Sequence, residues 1–260
     1  MSLTSTLPGH ARPTSISSAL EEAVALLERA GVVSPRVDAE LLLGHILDLS
    51  RGAVQAKAFM DAELSGADAS RFSELTLRRA AREPLQHITG KAPFRSLELS
   101  IGPGAFVPRP ETEQVAQFAI DALRAVPIET PLGVDLGTGS GAIALAMASE
   151  VPHARIWGVE NSPEAFIWAR RNQVETGADN ATIVFIDLAD ALPELNGTVD
   201  VVHAVSATAL RLLHAGGTLV MEHGELQAAA IAALLRADGW NAVATHRDLL
   251  GRDRATTAVR

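Results

Sequence analysis

Apolar residues recur every three or four positions through the first third of the chain, then in short unbroken runs through the rest. Leu20, Val24 and Leu27 share one helical face, and Gly31 closes the segment. Ser18 and Glu21 stand three apart as a capping box, each side chain placed to satisfy a free backbone N–H, which predicts a helix start at Ser18. Ser34-Pro35 predicts a second helix, with proline in the first turn and Val37, Leu41 and Leu42 turned inward. Further helical stretches are read from Arg51 to Leu64 and from Asp68 to Glu83, where Pro84 stops the last one. The opening MSLTSTLPGHARPTS is polar and punctuated by Pro and Gly, and reads as frayed. Residues 1–83 thus predict a small helical bundle.

From Pro84 to Pro110 short apolar alternations are broken by Gly and Pro, the pattern of a hairpin linker. A helix is expected from Glu111 to Ala125. Strands and helices then alternate: LGVDLG (132–137), ARIWGVE (154–160), ATIVFID (181–187), VDVVHAV (199–205) and GGTLVMEH (216–223) read as strands. Helical patterns fall at 142–150, 162–172 and 225–237, and 240–248 and 255–260 close the sheet. Such alternation specifies an α/β domain, a parallel sheet covered by helices on both faces.

Composition narrows the function without naming it. The chain has 260 residues, 47% hydrophobic and 20% charged, enough for two domains with cores of their own. A net charge of −9 argues against nonspecific binding to nucleic acid or anionic membrane, and 7 Phe, 3 Trp and no Tyr give few stacking platforms. With no cysteine there are no disulfides, thiolate metal sites or cysteine nucleophiles, and the histidines lack metal-ligand spacing, so no metal is expected. No apolar run approaches bilayer length and the first residues lack a signal-peptide core; a cytoplasmic protein is expected.

The chemistry concentrates at Asp135-Leu136-Gly137-Thr138-Gly139-Ser140-Gly141, where a strand turns into a helix. Glycines there let backbone N–H groups approach a ligand, and the following strand ends on Glu160, at the spacing of an acid that binds ribose hydroxyls. Two cofactors fit this arrangement. Gly137-x-Gly139-x-x-Ala142 satisfies a dinucleotide fingerprint, so NAD is one. S-adenosyl-L-methionine is the other, favoured by Asp135, because a carboxylate at the turn suits an ammonium and a sulfonium better than a pyrophosphate. Asp187, at the next strand end, falls near the adenine edge or is an ordinary solvated carboxylate.

With those residues placed, the chain resembles the HemK/PrmC family, protein-(glutamine-N5) methyltransferases that act on peptide chain release factors. The shared segments are Pro35-Arg36-Val37-Asp38-Ala39-Glu40, Glu83 to Gly90 (EPLQHITG), Phe106 to Glu113 (FVPRPETE), Asp135 to Gly141, Gly217 to Gly224 (GTLVMEHG) and Arg247-Asp248. The resemblance implies an N-terminal helical substrate-recognition domain (1–83), a hairpin linker (84–110) and a Rossmann-like, seven-stranded S-adenosylmethionine-dependent methyltransferase domain (111–260). It implies that Gly137, Thr138, Gly139, Ser140 and Gly141 bind S-adenosyl-L-methionine, with Glu160 on the ribose and Asp187 and Leu188 at the adenine pocket. Phe106 and Arg109 are expected near the methionine end and the substrate entrance; for Arg109 a structural ion pair with Glu111 or Glu113 weighs equally. The implied partner is a release factor, met by a monomer without direct contact to membrane or nucleic acid.

One departure bears on the chemistry. The family places Asn-Pro-Pro-Tyr after the fourth strand, where the Asn oxygen and a proline carbonyl accept the two amide N–H bonds of the substrate. Here Val199-Asp200-Val201-Val202 is followed at once by His203-Ala204-Val205-Ser206, and no Asn-Pro-Pro occurs anywhere. The expectation is a missing active-site loop between Val202 and His203; His203 reads as structural or solvated, and no catalytic residue is assigned. The other functions open at this point are a catalytically silent cofactor-binding or release-factor-binding module, an adenine-N6 nucleic-acid methyltransferase and an NAD-dependent oxidoreductase.

Overall fold

The computed structural model describes residues 14–203 and 206–260; most of the opening segment expected to fray lies outside them. The chain divides into two compact units, Met1–Gly90 and Lys91–Arg260.

In the first unit the helices are α1 (Ile16–Arg29), α2 (Pro35–Leu47), α3 (Arg51–Phe59), α4 (Gly66–Ala80) and α5 (Leu85–Thr89). Their core gathers Leu20, Leu27, Leu42, Leu43, Val54 and Phe72. Helix α1 begins earlier than the capping-box reading placed it. Ser15 is the cap, its hydroxyl accepting from Ser18 N–H at 3.2 Å, because Ile16 already belongs to the buried stripe with Ala19, Leu20 and Ala23. Helix α3 ends short of Leu64, since Glu63–Leu64 (β2) instead pairs with Thr14–Ser15 (β1) as a short antiparallel ladder. Glu40 is buried on α2 and accepts from Arg36 at 2.8 Å, Arg51 at 2.7 Å and Gln55 at 2.8 Å, tying α2 to α3. A buried carboxylate is tolerable only with such a full set of donors.

The second unit opens with a hairpin, β3 (Lys91–Phe94) and β4 (Leu97–Ser100), so the linker texture from 84 to 110 is helical at first and a hairpin afterwards. Then follow α6 (Pro110–Ala125), β5 (Leu132–Leu136), α7 (Ala142–Glu150), β6 (Arg155–Glu160), α8 (Pro163–Thr176) and β7 (Ala181–Phe185). The rest comprises β8 (Val199–His203), α9 (Ser206–Leu212), β9 (Leu213–Glu222), α10 (Ala228–Ala237), β10 (Asn241–Arg247) and β11 (Asp253–Val259). The seven-stranded sheet has the order β10-β11-β9-β8-β5-β6-β7, with β11 antiparallel to both its neighbours. Val201 and Val202 on β8 enter hydrophobic clusters on opposite faces, which is why this strand reads as an unbroken apolar run. Strand β8 runs in register from Val202 into His203, paired with Asp135 on one side and Val220 on the other.

The hairpin is fixed by one residue at its turn. Arg95, at φ 53°, donates through its guanidinium to Glu150 on α7, to the Glu113 carbonyl at 2.9 Å and to Gln117 at 2.6 Å. The guanidinium beside Glu150 holds its carboxyl below the ordinary value of 4.5. A carboxyl depressed in the folded state adds stability above its unfolded value, and that stability is lost as pH falls through the folded value. The melting temperature is therefore expected to fall as pH drops below 4.5. Glu150→Gln should lower stability at neutral pH and flatten this part of the acid profile in thermal denaturation.

Candidate functional site

Strand order reverses at the β5–β8 boundary, and a crevice opens there at the carboxyl ends of the strands, the place where doubly wound sheets bind ligands. Its cavity, about 270 Å³, is lined by Phe106, Arg109, Thr138, Ser140, His203 and Glu222 among others. Gly137 and Gly139 adopt φ 78° and 59°, and a Cβ at either would meet nothing within 4 Å. The turn is thus held in a left-handed shape with its open side unobstructed, as a backbone cradle for a ligand requires.

Each feature of the turn has a holder. The N–H groups of Gly137 and Thr138 both donate to Val159 O, at 2.8 and 2.9 Å. Asp135, 1% exposed, accepts from Thr138 Oγ1 at 2.6 Å and Ala144 N–H at 3.1 Å on one oxygen and meets His203 Nδ1 at 2.8 Å on the other. Its carboxylate, read from the sequence as a partner for the cofactor's positive charges, also organises the turn from beneath. Glu160 accepts from Gly139 N–H at 2.8 Å through one oxygen, and from Asn161 and Ser162 N–H at 2.9 and 2.8 Å through the other.

Of the residues expected at the site, Phe106, Arg109, Gly137, Thr138, Gly139 and Ser140 line the cavity together. Glu160 joins them through its bond to Gly139, and Gly141 caps α7 at φ 86°. Asp187 is exposed two residues beyond the end of β7, which stops at Phe185 rather than 187, and its carboxylate accepts from Ala189 N–H at 2.9 Å; Leu188 is half-buried and its carbonyl accepts from Thr208 at 3.1 Å. Neither lines the cavity. The ion pair considered for Arg109 is not formed with either glutamate. Glu111 pairs with Arg252 at 2.8 Å and Glu113 accepts from Arg95 N–H at 3.1 Å, which leaves Arg109 exposed beside Phe106. Phe106 itself is 85% exposed and lines the cavity, so its ring is open to whatever enters there.

The sequence reading passed over Asn172. Its side chain, fully buried on α8, accepts from Ser100 N–H at 2.7 Å and donates to the carbonyls of Ser100 and Ser140, both at 2.9 Å. It joins the hairpin to the glycine turn. A signal existed: Asn172 follows Ala165 and Ala169 on the buried stripe of its helix, a polar residue where an apolar one belongs. Asn172→Ala is expected to cost about 3 kcal/mol in urea denaturation, because three buried backbone groups lose their partner.

A family model described as the PrmC N-terminal domain matches residues 18–90, and one described as a methyltransferase domain matches residues 134–217. A release factor glutamine methyltransferase from Streptomyces coelicolor is 40% identical, over 91% of this chain and 95% of its own. One from Bifidobacterium longum is 37% identical, over 94% and 99%. A 4-amino-L-phenylalanine/4-methylamino-L-phenylalanine methyltransferase from Streptomyces pristinaespiralis is 36% identical, over 96% of each chain. The first alignment runs over 273 positions, more than the 260 residues present here, so that relative carries positions with no counterpart in this chain.

Proposed function

Because the chain belongs to the release factor glutamine methyltransferase family, we propose that it methylates the side-chain amide nitrogen (N5) of the glutamine in the Gly-Gly-Gln loop of a peptide chain release factor. It is an S-adenosyl-L-methionine-dependent methyltransferase, a methyltransferase domain in a family of such enzymes. The observation that carries the substrate reading is the cavity in front of the glycine turn, roofed by the exposed Phe106 and Arg109.

The residues present fit the cofactor. The open side of Gly137 and Gly139 accommodates it without a side chain in the way. Asp135 and Glu222 against the single guanidinium of Arg109 make the cavity wall net negative, which suits a cation. In this reading the turn from Gly137 to Gly141 holds the cofactor, Glu160 takes the ribose hydroxyls, and Asp187 and Leu188 border the adenine. Phe106 and Arg109 stand at the methionine end, where the acceptor enters. S-adenosyl-L-methionine supplies a methyl group made electrophilic by its sulfonium. An amide nitrogen is a weak nucleophile, its lone pair delocalised into the carbonyl, so the protein's part is to orient it and to receive its proton.

A second reading is favoured by one observation, the absence of Asn-Pro-Pro-Tyr from the sequence: a protein that binds cofactor and release factor without turnover. The dinucleotide alternative has only the glycine string and Glu160 behind it. The deciding experiment incubates the full chain with methyl-labelled cofactor and a release factor, and locates label by peptide mass spectrometry. Label on the Gly-Gly-Gln glutamine is the expected result. Since one relative is named for methylating a free amino acid, 4-amino-L-phenylalanine is included as a competing acceptor, and label there alone overturns the release-factor reading. Binding of S-adenosylhomocysteine with no label anywhere supports the silent protein instead.

A further inference from the structure

We propose that His203 is the proton acceptor of methyl transfer, its Nε2 taking the hydrogen that leaves the acceptor nitrogen. This inference rests on the cavity being the methyl-transfer site.

The register of two adjacent strands creates the arrangement. Asp135 on β5 and His203 on β8 are direct partners at the carboxyl ends of a parallel pair, and Nδ1 lies 2.8 Å from the Asp135 carboxylate. A carboxylate can only accept, so Nδ1 carries the hydrogen, and in the neutral imidazole Nε2 presents a lone pair. That nitrogen is buried and has no partner. Among the described residues two other buried side-chain nitrogens share this condition, on Trp240 and Arg254, and both of those are donors away from the cavity. His203 is the buried acceptor, and it stands in the cavity wall. An unpaired buried acceptor costs about 1–3 kcal/mol, and a group in the cavity that donates to Nε2 recovers that cost.

The charged groups that share the cavity wall with His203 are Asp135, Glu222 and Arg109. One Asp135 oxygen is held by Thr138 and Ala144 and the other by His203 itself. Glu222, at the end of β9, accepts from Thr112 at 3.0 Å, and Arg109 can only donate. Asp135 therefore acts as a positioning residue: it fixes the tautomer and stabilises the imidazolium once formed.

The step balances as follows. The nitrogen lone pair forms a bond to the methyl carbon, the carbon–sulfur bond breaks with its electron pair left on sulfur, and one N–H proton passes to Nε2. The product is a neutral N-methyl amide beside a protonated His203, which returns its proton to solvent.

The test compares the wild-type chain with His203→Gln, which keeps a polar side chain of similar reach but cannot take up the proton. In the protein alone, imidazole ¹⁵N shifts are expected to report hydrogen on Nδ1 and none on Nε2. His203→Gln is expected to bind S-adenosylhomocysteine within roughly two-fold of wild type and to lose roughly a hundred-fold in single-turnover methylation rate. Hydrogen found on Nε2, or a variant as fast as wild type, overturns the assignment of His203 and leaves the methyl-transfer reading standing. A wild-type chain that binds S-adenosylhomocysteine but methylates no acceptor sinks both.

Discussion

Glu160→Gln is expected to weaken S-adenosylhomocysteine binding by roughly ten- to a hundred-fold in calorimetry, with a loss of about 2 kcal/mol of stability. The wild-type carboxylate serves two sides at once: Gly139 N–H on one oxygen, Asn161 and Ser162 N–H on the other. An amide has one oxygen and one NH2, so whichever way it turns, a donor faces a donor. If the NH2 faces Gly139, the turn loses its anchor; if it faces Asn161 and Ser162, the start of α8 loses its own. In the proposed binding mode the ribose meanwhile loses a charged acceptor, and hydrogen bonds to charged groups are worth about 1.5–3 kcal/mol. Unchanged affinity in a folded variant would limit Glu160 to bracing the loop.

Asp135→Ala should be the more damaging change, about 4 kcal/mol in urea denaturation, and cofactor binding should become undetectable at concentrations that saturate the wild type. The carboxylate is buried and satisfies the Thr138 hydroxyl, the Ala144 N–H inside the first turn of α7, and His203. Alanine removes all three acceptor contacts, and each buried donor left without one costs about 1–3 kcal/mol. The Thr138 hydroxyl lies between Asp135 and the strand β6 residue Gly158, where a Cβ would stand 3.1 Å from it. Release of Thr138 therefore loosens the glycine turn itself. Asp135→Asn is the milder companion: it keeps an acceptor for Thr138 and Ala144, so its stability should fall between alanine and wild type.

Much of the fold was legible because its periodicities are simple. The parallel strands bury both faces and read as apolar runs, and the glycine turn sits between one such run and a helix. The misreadings in the first unit have local causes. Ser15 and Ser18 are both competent caps, and the choice between them depends on whether Ile16 is buried, which is a tertiary fact. Glu63 and Leu64 continue a helical pattern, but pairing with Thr14 and Ser15 draws them into a ladder.

The site divides along the same line. Glycine type, spacing and the acid at Glu160 are properties of one chain segment and the next, so the nucleotide-type turn is legible in the sequence, and the motifs shared along the whole chain add the family and its cofactor class. What Asp135 bonds to, which carboxylates are spent before Arg109 can use them, and the pairing of Asp135 with His203 depend on strand register across 68 residues. No periodicity records register between strands so far apart. It is set by how both faces of the sheet pack against their helices, and a shift of one residue would turn His203 to the other face. The same holds for Asn172, whose three partners lie on the hairpin and the glycine turn, 72 and 32 residues away. The chain announces a methyl donor through its family motifs and a glycine turn at the end of its first parallel strand. Only the folded sheet brings a histidine to that strand end, because the side chains that meet there are neighbours in space through hydrogen-bonded register and not through sequence.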